Sequence, residues 1–270
     1  MILENMLNFL LRKLRGVSTL NHKHLNYTQA GVSHDKILVA IGDIHGQLSA
    51  LTTLFTNIEA TLPRNLKTVS FVLLGDYIDR GPSSKAVIDL LLDWTKDHNC
   101  TFLLGNHEAS LLSFLDDPIR NKNWLSFGGI ETLISYNIFP KPGAVAEKAL
   151  VQIRDQLADT LPDRHIKFFN SLIPSYQDGD FMFVHAGVNP ELPLSKNTEE
   201  DLLWIRDPFL KHRGLYERVI VHGHTITSDA KPEIHANRVG LDTGSYATGV
   251  ITAMIIEGRD KSYISSEPKV

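Results

Sequence analysis

Between Ile37 and Glu108 a short apolar run, a polar loop and a helix-spaced stretch follow one another three times. Ile37 to Ile41 is continuous and apolar, too short for a helix and closed by Gly42, so it reads as a strand buried on both faces. Gln47 to Ala60 then carries Leu48, Leu51, Leu54, Phe55 and Ile58 at helical spacing. Val69 to Leu74 predicts a second strand, and Ser83 to Lys96 a helix with Pro82 near its first turn. Thr101 to Leu104 predicts a third strand, followed by a helix through Leu111, Leu112 and Leu115. Strands alternating with helices imply a parallel sheet whose functional loops lie at the carboxyl ends of the strands. Three polar loops stand there: Gly42-Asp43-Ile44-His45-Gly46, Gly75-Asp76-Tyr77-Ile78-Asp79-Arg80-Gly81 and Gly105-Asn106-His107-Glu108.

These loops gather carboxylate, imidazole and amide groups. Clustered ionised carboxylates repel and lose hydration, so the pattern predicts a cation among them. If the first strand runs on extended through Asp43-Ile44-His45, period 2 puts Asp43 and His45 on one face. Asp76 and Asp79 come from the second loop and Asn106 from the third. Further along, His185 follows the strand Phe181 to Val184, and His222 and His224 follow Val219 to Val221. Oxygen and nitrogen donors without thiolate suit Mn2+, Fe or Zn2+ better than Cu(I) or a sulfur cluster, and the imidazoles disfavour Ca2+. The set exceeds what one open catalytic metal needs and would serve two ions sharing a carboxylate, roughly 3.5–4 Å apart. A single Asp or His beside a glycine is ordinarily a turn former or cap. Five loops repeating the pattern make that account a poor one for the whole set. His222 is weaker than His224, because the Gly223 bend can turn it away. His22, His24, His34, His98, His165, His212 and His235 have no partner pattern and are expected at the surface.

Residues 116–177 are mostly helical in pattern, with a Trp124, Phe127, Gly128, Gly129 cluster and a break at Pro140-Lys141-Pro142-Gly143. They read as a helical insertion flanking the site. Phe181 to Val184, Val219 to Val221, Arg238 to Leu241 and Val250 to Ile256 then predict strands of a second sheet packed on the first. At the other end, Leu3, Met6, Leu7, Leu10, Leu11 and Leu14 predict an amphipathic helix ending in Arg12, Lys13 and Arg15. Its cations follow the apolar part, unlike a secretory signal, and it is too short to span a bilayer. A helix packed on protein is preferred over peripheral membrane contact through residues 2–15. Residues 16–35 read as a linker, which leaves 36–270 as a single domain. The net charge of −4 argues against a nucleic acid polymer as partner without excluding a small nucleotide. Cys100 is the sole cysteine, so no intrachain disulfide forms; it fits a reducing, cytoplasmic setting and reads as a buried structural thiol.

Together these motifs resemble those of the phosphoprotein phosphatase family of the calcineurin-like metallophosphoesterases. Gly75 to Gly81 is the most specific of them. The resemblance spans Gly42 to about Thr225, resumes at Leu241-Asp242-Thr243-Gly244, and extends to bacterial members related to phage-type protein phosphatases and symmetrical diadenosine tetraphosphatases. It implies an α/β four-layer sandwich, with two mixed sheets packed face to face and flanked by helices. It implies a first metal held by Asp43, His45 and Asp76, and a second held by Asp76, Asn106, His185 and His224, with Mn2+ foremost and Fe or Zn2+ as alternatives. It further implies in-line attack by a metal-bridging hydroxide, His107 as general acid, Asp79 orienting that imidazole, and Arg80 with Asn106 on the phosphate.

A second phosphate-binding arginine is expected from a later loop. Arg206, after Trp204, is the choice; Arg213 and Arg218 are alternatives, and an ion pair of Arg206 with Asp207 or Glu200 is the competing account. Trp204 is expected in the core, and Tyr246 is a further candidate for the phosphate. Ile226 stands where broader metallophosphoesterases place another histidine, in keeping with the phosphoprotein phosphatase branch. The implied activity is hydrolysis of phosphoserine and phosphothreonine, with phosphotyrosine as a further substrate, on a phosphoprotein partner. A dinucleoside polyphosphate hydrolase, taking a small nucleotide such as diadenosine tetraphosphate, would use the same core. A catalytically idle, metal-stabilised binding module is the alternative of another class, and the intact His107, Asp79 and Arg80 speak against it.

Overall fold

In the computed structural model residues 25–62, 69–141 and 146–267 are described. The threefold alternation is laid down as β1 (Ile37–Ile41), α1 (Leu48–Thr61), β2 (Val69–Leu73), α2 (Ser84–Trp94), β3 (Asn99–Phe102) and α3 (Asn106–Asp116). A tight helical turn at Lys122–Phe127 leads to α4 (Gly129–Ser135), α5 (Glu147–Thr160) and α6 (Asp163–Asn170). The chain continues through β4 (Ser175–Asp178), β5 (Phe181–Val184), α7 (Glu199–Trp204), β6 (Val219–His222), β7 (Glu233–Ile234) and β8 (Arg238–Gly240). A single turn, α8 (Ser245–Thr248), precedes the hairpin of β9 (Thr252–Glu257) and β10 (Asp260–Ser265).

Two mixed five-stranded sheets result, ordered β10-β9-β1-β2-β3 and β4-β5-β6-β8-β7. The centre of each is parallel, β1 with β2 and β3 in one and β5 with β6 and β8 in the other, and antiparallel strands complete them. Period 2 explains why the central strands are apolar throughout. Leu38, Ala40, Val72 and Leu74 face Phe181, Phe183, Val219 and Val221 between the sheets. Val39, Ile41, Phe71 and Leu73 point the other way, onto Leu51, Leu54, Phe55, Val87 and Leu91 of α1 and α2. The outer face of the second sheet is covered by a smaller cluster in which Met182, Val184 and Ile220 meet Leu202, Phe209 and Tyr216. Each such fully buried large side chain contributes roughly 1.5–3 kcal/mol of apolar transfer energy.

Several expectations need correction. Val250 to Ile256 is expected in the second sheet, but β9 lies in the first, antiparallel to β1; a strand buried on both faces carries no sequence mark of its partner. The edge strands β4 and β10 have polar sequences, SYQD and DKSYIS, that hide their strand character. β3 begins two residues before the expected strand, and Leu103 continues it only as a bridge to Ile173. Residues 25–35, read as part of a linker, are laid against the domain: Leu25 and Tyr27 donate to the carbonyls of Tyr216 and Ala236, Val32 to Gly258, and Ala30 is fully buried. His165, expected at the surface, is buried between the Tyr136 hydroxyl at 2.7 Å and the Asp89 carboxylate at 2.8 Å. Half-burial pushes the Cys100 thiol up to about 12, so it is inert as expected of a structural cysteine. The expected helix over residues 2–14 lies outside the described residues. No helix among the described residues is long and apolar enough to cross a membrane.

Candidate active site

All the predicted loops open at one edge of the sandwich. The first sheet supplies Asp43 and His45 after β1, Asp76, Asp79 and Arg80 after β2, and Asn106 and His107 at the start of α3. The second supplies His185 after β5 and His224 after β6. Asp43, His45, Asp76, Asn106, His107 and His185 are at most 4% exposed. Their loops are held in unusual backbone geometry. His45, Asp76, Asp79, Arg80 and His224 have φ of 47, 52, 71, 66 and 62°, the left-handed region that non-glycine residues occupy at a cost of order 1–3 kcal/mol each. Strain this concentrated survives only where surrounding bonds fix the loop.

Glu108 provides the main brace. Its buried carboxylate accepts the backbone N–H groups of Gly105, Asp76, Tyr77 and Ile78 at 3.1, 2.9, 2.8 and 3.2 Å. Gly128, at φ 119°, accepts the Arg80 N–H and lies so close that a Cβ there would meet the Arg80 nitrogen at 2.5 Å. Asp79 takes three side-chain donors: the Thr132 hydroxyl at 2.6 Å, the Trp124 indole N–H at 2.8 Å and His107 Nδ1 at 2.7 Å. The sequence motifs include Glu108 and Trp124 without marking a role for either. The signal was present in Glu108, which stands at the third position of a helix whose first turn must satisfy free N–H groups.

Two groups of candidate ligand atoms share Asp76: His45, Asp76 and His107, and Asp76, His185 and His224, the atoms of each lying within 4.8 Å of one another. The donor chemistry fits metal ions. Nδ1 of His45 donates to the Ile78 carbonyl at 2.9 Å and Nδ1 of His185 to that of Leu74 at 2.8 Å, which turns both Nε2 atoms inward. His185 Nε2 thereby faces Asn106 Oδ1 at 2.8 Å and Asp76 Oδ1 at 3.3 Å, and His45 Nε2 faces Asp76 Oδ2 at 3.5 Å. His224 brings Nδ1 to 2.9 Å from Asn106 Oδ1, while its buried Nε2 has no partner. Nitrogen and oxygen ligand atoms converging from both sheets are what a cation can hold together.

Burial pushes His45 down to about 3, and burial with the neighbouring His185 pushes His224 down to about 2, so both are neutral donors. Burial works against ionised Asp76, yet the His185 and His107 imidazoles hold it well below the usual carboxylate range. Burial, Asp242 and Asp76 together push Asp43 well above that range.

Asp43 departs from the expected alternation. The chain leaves extended geometry at His45, so Asp43 and His45 do not line up by period 2. The Asp43 carboxylate instead accepts the His224 N–H at 3.0 Å and lies over Gly223, where a Cβ would come within 2.0 Å of it. His107 takes the place beside His45 and Asp76, with ring centroids of the two histidines 4.7 Å apart. His222 is turned away, as its weaker assignment allowed: Nδ1 donates to the Gly223 carbonyl and Nε2 accepts from buried Arg238.

Arg80 places Nη1 3.2 Å from His45 Nε2 and its guanidinium 4.6 Å from the Tyr246 ring centroid. Tyr246 stands edge-on to His45 at 5.5 Å. Arg206 reaches the Thr225 hydroxyl at 3.2 Å beside His224, while Asp207 pairs with Lys211, so the competing account, an ion pair of Arg206 with Asp207 or Glu200, is not seen among the described residues. Arg213 and Arg218 turn to the carbonyls of Leu210 and Gly179. Trp204, expected in the core, is 41% exposed, with its ring edge-on to His224 at 6.4 Å.

Comparison with known proteins agrees with this geometry. Residues 37–242 match the family model described as calcineurin-like phosphoesterase. An asymmetrical bis(5'-nucleosyl)-tetraphosphatase, PrpE, from Anoxybacillus flavithermus is 26% identical over 79% of this chain and 88% of its own length. The catalytic subunit of serine/threonine-protein phosphatase 4 from Eremothecium gossypii is 34% identical over a shorter stretch, 37% of this chain and 33% of that protein. A solved structure provisionally assigned as a diadenosine tetraphosphatase superposes with a TM-score of 0.60 at 19% identity, over 86% of this chain and 94% of that one, a likeness of fold.

Proposed function

The chain belongs to the calcineurin-like phosphoesterase family, and from that premise we propose that it hydrolyses phosphoserine and phosphothreonine monoesters in proteins. The observation that carries this reading is the cation inventory. Among the described residues, Arg80 and Arg206 are the cationic side chains that reach the cluster, one at His45 and one beside His224. Two guanidinium forks suit the oxygens of one phosphoryl group. A chain of four phosphates would call for more.

His45, Asp76 and Asp43 would hold one metal ion and Asp76, Asn106, His185 and His224 a second. Bound there, the ions supply charge neutralisation at the phosphoryl group and a water of lowered pKa. The chain's own groups do the rest. Arg80 and Arg206 orient the phosphate so that the ester oxygen points toward His107. Asp79 accepts from Nδ1 of His107 at 2.7 Å, which fixes the ring and directs Nε2 into the site. Burial opposes protonation of His107, but Asp76 and Asp79 outweigh it and raise its pKa, so the ring carries the proton that the leaving oxygen needs. Water adds to phosphorus, the P–O ester bond breaks, and the alcohol departs with the proton from Nε2.

A second reading, hydrolysis of dinucleoside tetraphosphates, is favoured by the PrpE relative that aligns over most of both chains. The Mn2+-loaded protein, assayed on phosphothreonine peptides and on diadenosine tetraphosphate, decides between them. A higher kcat/KM for the dinucleotide would replace the first reading with the second.

A further inference from the structure

The Trp124, Phe127, Gly128, Gly129 cluster that marks the helical insertion in the sequence holds no candidate ligand and no phosphate clamp, yet it lies against the proton donor. The Lys122–Phe127 turn and α4 close over the corner formed by Asp79 and Arg80. Phe127 stands edge-on to His107 at 5.8 Å, and the Gly128 carbonyl accepts the Arg80 N–H at 3.2 Å. Gly129 leaves room for the ring of Trp124, since a Cβ there would come within 2.6 Å of it.

This segment holds Asp79 at both ends. The Thr132 hydroxyl donates to Oδ1 at 2.6 Å, and its oxygen accepts the Asp79 N–H at 2.9 Å. Ser84 accepts the same N–H at 3.0 Å, so the bond that Thr132 adds without a substitute is the one to Oδ1. On the other carboxylate oxygen, Oδ2, the Trp124 indole N–H at 2.8 Å and His107 Nδ1 at 2.7 Å converge. Asp79, His107, Trp124 and Thr132 are each at most 1% exposed, so solvent does not compete for these bonds. Packing alone would be served by apolar side chains of the same shape. It does not require an indole N–H and a hydroxyl to be buried and aimed at one carboxylate.

The arrangement matters at the moment of cleavage. As the P–O ester bond breaks, its electron pair stays on the leaving oxygen, which takes the proton from Nε2 of His107. Where that proton points depends on where Nδ1, across the ring, is anchored, and the anchor is Oδ2 of Asp79. Misplacing a reacting group by about 1 Å can cost about 10²-fold in rate. We propose that Trp124 and Thr132 are positioning residues for the proton donor, acting through Asp79 on His107 and setting how fast esters with poor leaving groups are cleaved. The inference rests on the reading of His107 as general acid given above.

The test uses the full chain loaded with Mn2+ and two small esters. Phenyl phosphate has a leaving oxygen that departs well only when protonated, whereas 2,4-dinitrophenyl phosphate releases a stable anion. Trp124→Phe keeps an aromatic ring and removes the N–H; its kcat should fall about tenfold more on phenyl phosphate than on the dinitrophenyl ester. Thr132→Val, close in shape but without the hydroxyl, should show the same selective loss, and Thr132→Ser should bring the ratio back to within about twofold of the parent. Metal content and unfolding midpoint report whether each variant is folded, and Thr132→Val carries the test should Trp124→Phe not fold. Equal losses on the two esters in a folded, metal-loaded variant would overturn the positioning role, as would no loss on either. His107→Asn, measured alongside, separates this from failure of the reading beneath it. A selective loss in His107→Asn that neither Trp124→Phe nor Thr132→Val shares overturns the inference alone. Equal losses on both esters in His107→Asn, or turnover of neither ester by the parent protein, would overturn the general-acid reading and the inference with it.

Discussion

The half of the site contributed by the first sheet is braced at its backbone, whereas the half contributed by the second is braced from behind by side chains. In the first, Glu108 gathers four backbone N–H groups and is fully buried. In the second, His222 leans on Arg238, which in turn donates to Glu233 at 2.9 Å, a carboxylate 39% exposed. The strain is divided in the same way: four of the left-handed site residues, His45, Asp76, Asp79 and Arg80, belong to the first half and only His224 to the second. The halves are also bonded to each other. His185 is oriented by the Leu74 carbonyl and His224 by the Asp43 carboxylate, both first-sheet groups. Damage to the first half should therefore spread to the second, and damage behind the second should stay local.

Asp76→Asn removes the group common to both halves and should have the largest effect. Metal analysis should find both ions depleted, and aryl phosphate turnover should fall about a thousandfold or more. Retention of one full equivalent of Mn2+ would show the halves to be independent centres. His107→Asn acts within the first half alone: kcat should fall about 10²- to 10⁴-fold while metal content stays near that of the parent protein. Loss of metal would make His107 a ligand, which its place beside His45 and Asp76 allows.

Glu108→Ala tests the brace itself. Stranding four buried N–H groups should cost about 3–5 kcal/mol in urea unfolding and should also lower metal occupancy at His185 and His224. The matching change behind the second half, Glu233→Gln, should be the smallest. Burial works against ionised Glu233, yet the Arg238 and His235 donors hold it down to about 2. Its stabilisation is present above its unfolded value of 4.5 and disappears as pH falls through about 2. The variant should melt only about 1–2 °C lower at pH 7, because the carboxylate is part-exposed, and the difference should close between pH 4.5 and 2. A gap that widens on acidification would reverse the assignment.

The sequence made the site legible where chemistry and period coincided. Polar loops closing apolar runs located Asp43, Asp76, Asn106, His185 and His224 without coordinates, since a group at a strand end has few places to go. What it concealed depends on contacts distant along the chain. Nothing in TAMIIE says which sheet it joins, because both of its faces are buried. His165 looked idle because its partners, Tyr136 and Asp89, approach from other helices. Trp204 looked like core because an exposed indole has no distinguishing neighbour in sequence. The alternation expected of Asp43 and His45 fails for a local reason: one left-handed residue, His45, ends it.

The pairing of β1 with β9 matches Ile37 to Glu257 and Ile41 to Ala253. The strand that leads into Asp43 and His45 is synthesised well before its antiparallel neighbour, and every candidate ligand is translated between them. A nascent chain with every candidate ligand already translated would still have one edge of β1 unpaired, a sticky margin open to wrong partners. Closing so long a loop is slow by its topology, and the hairpin that closes it contributes no candidate ligand to the centre.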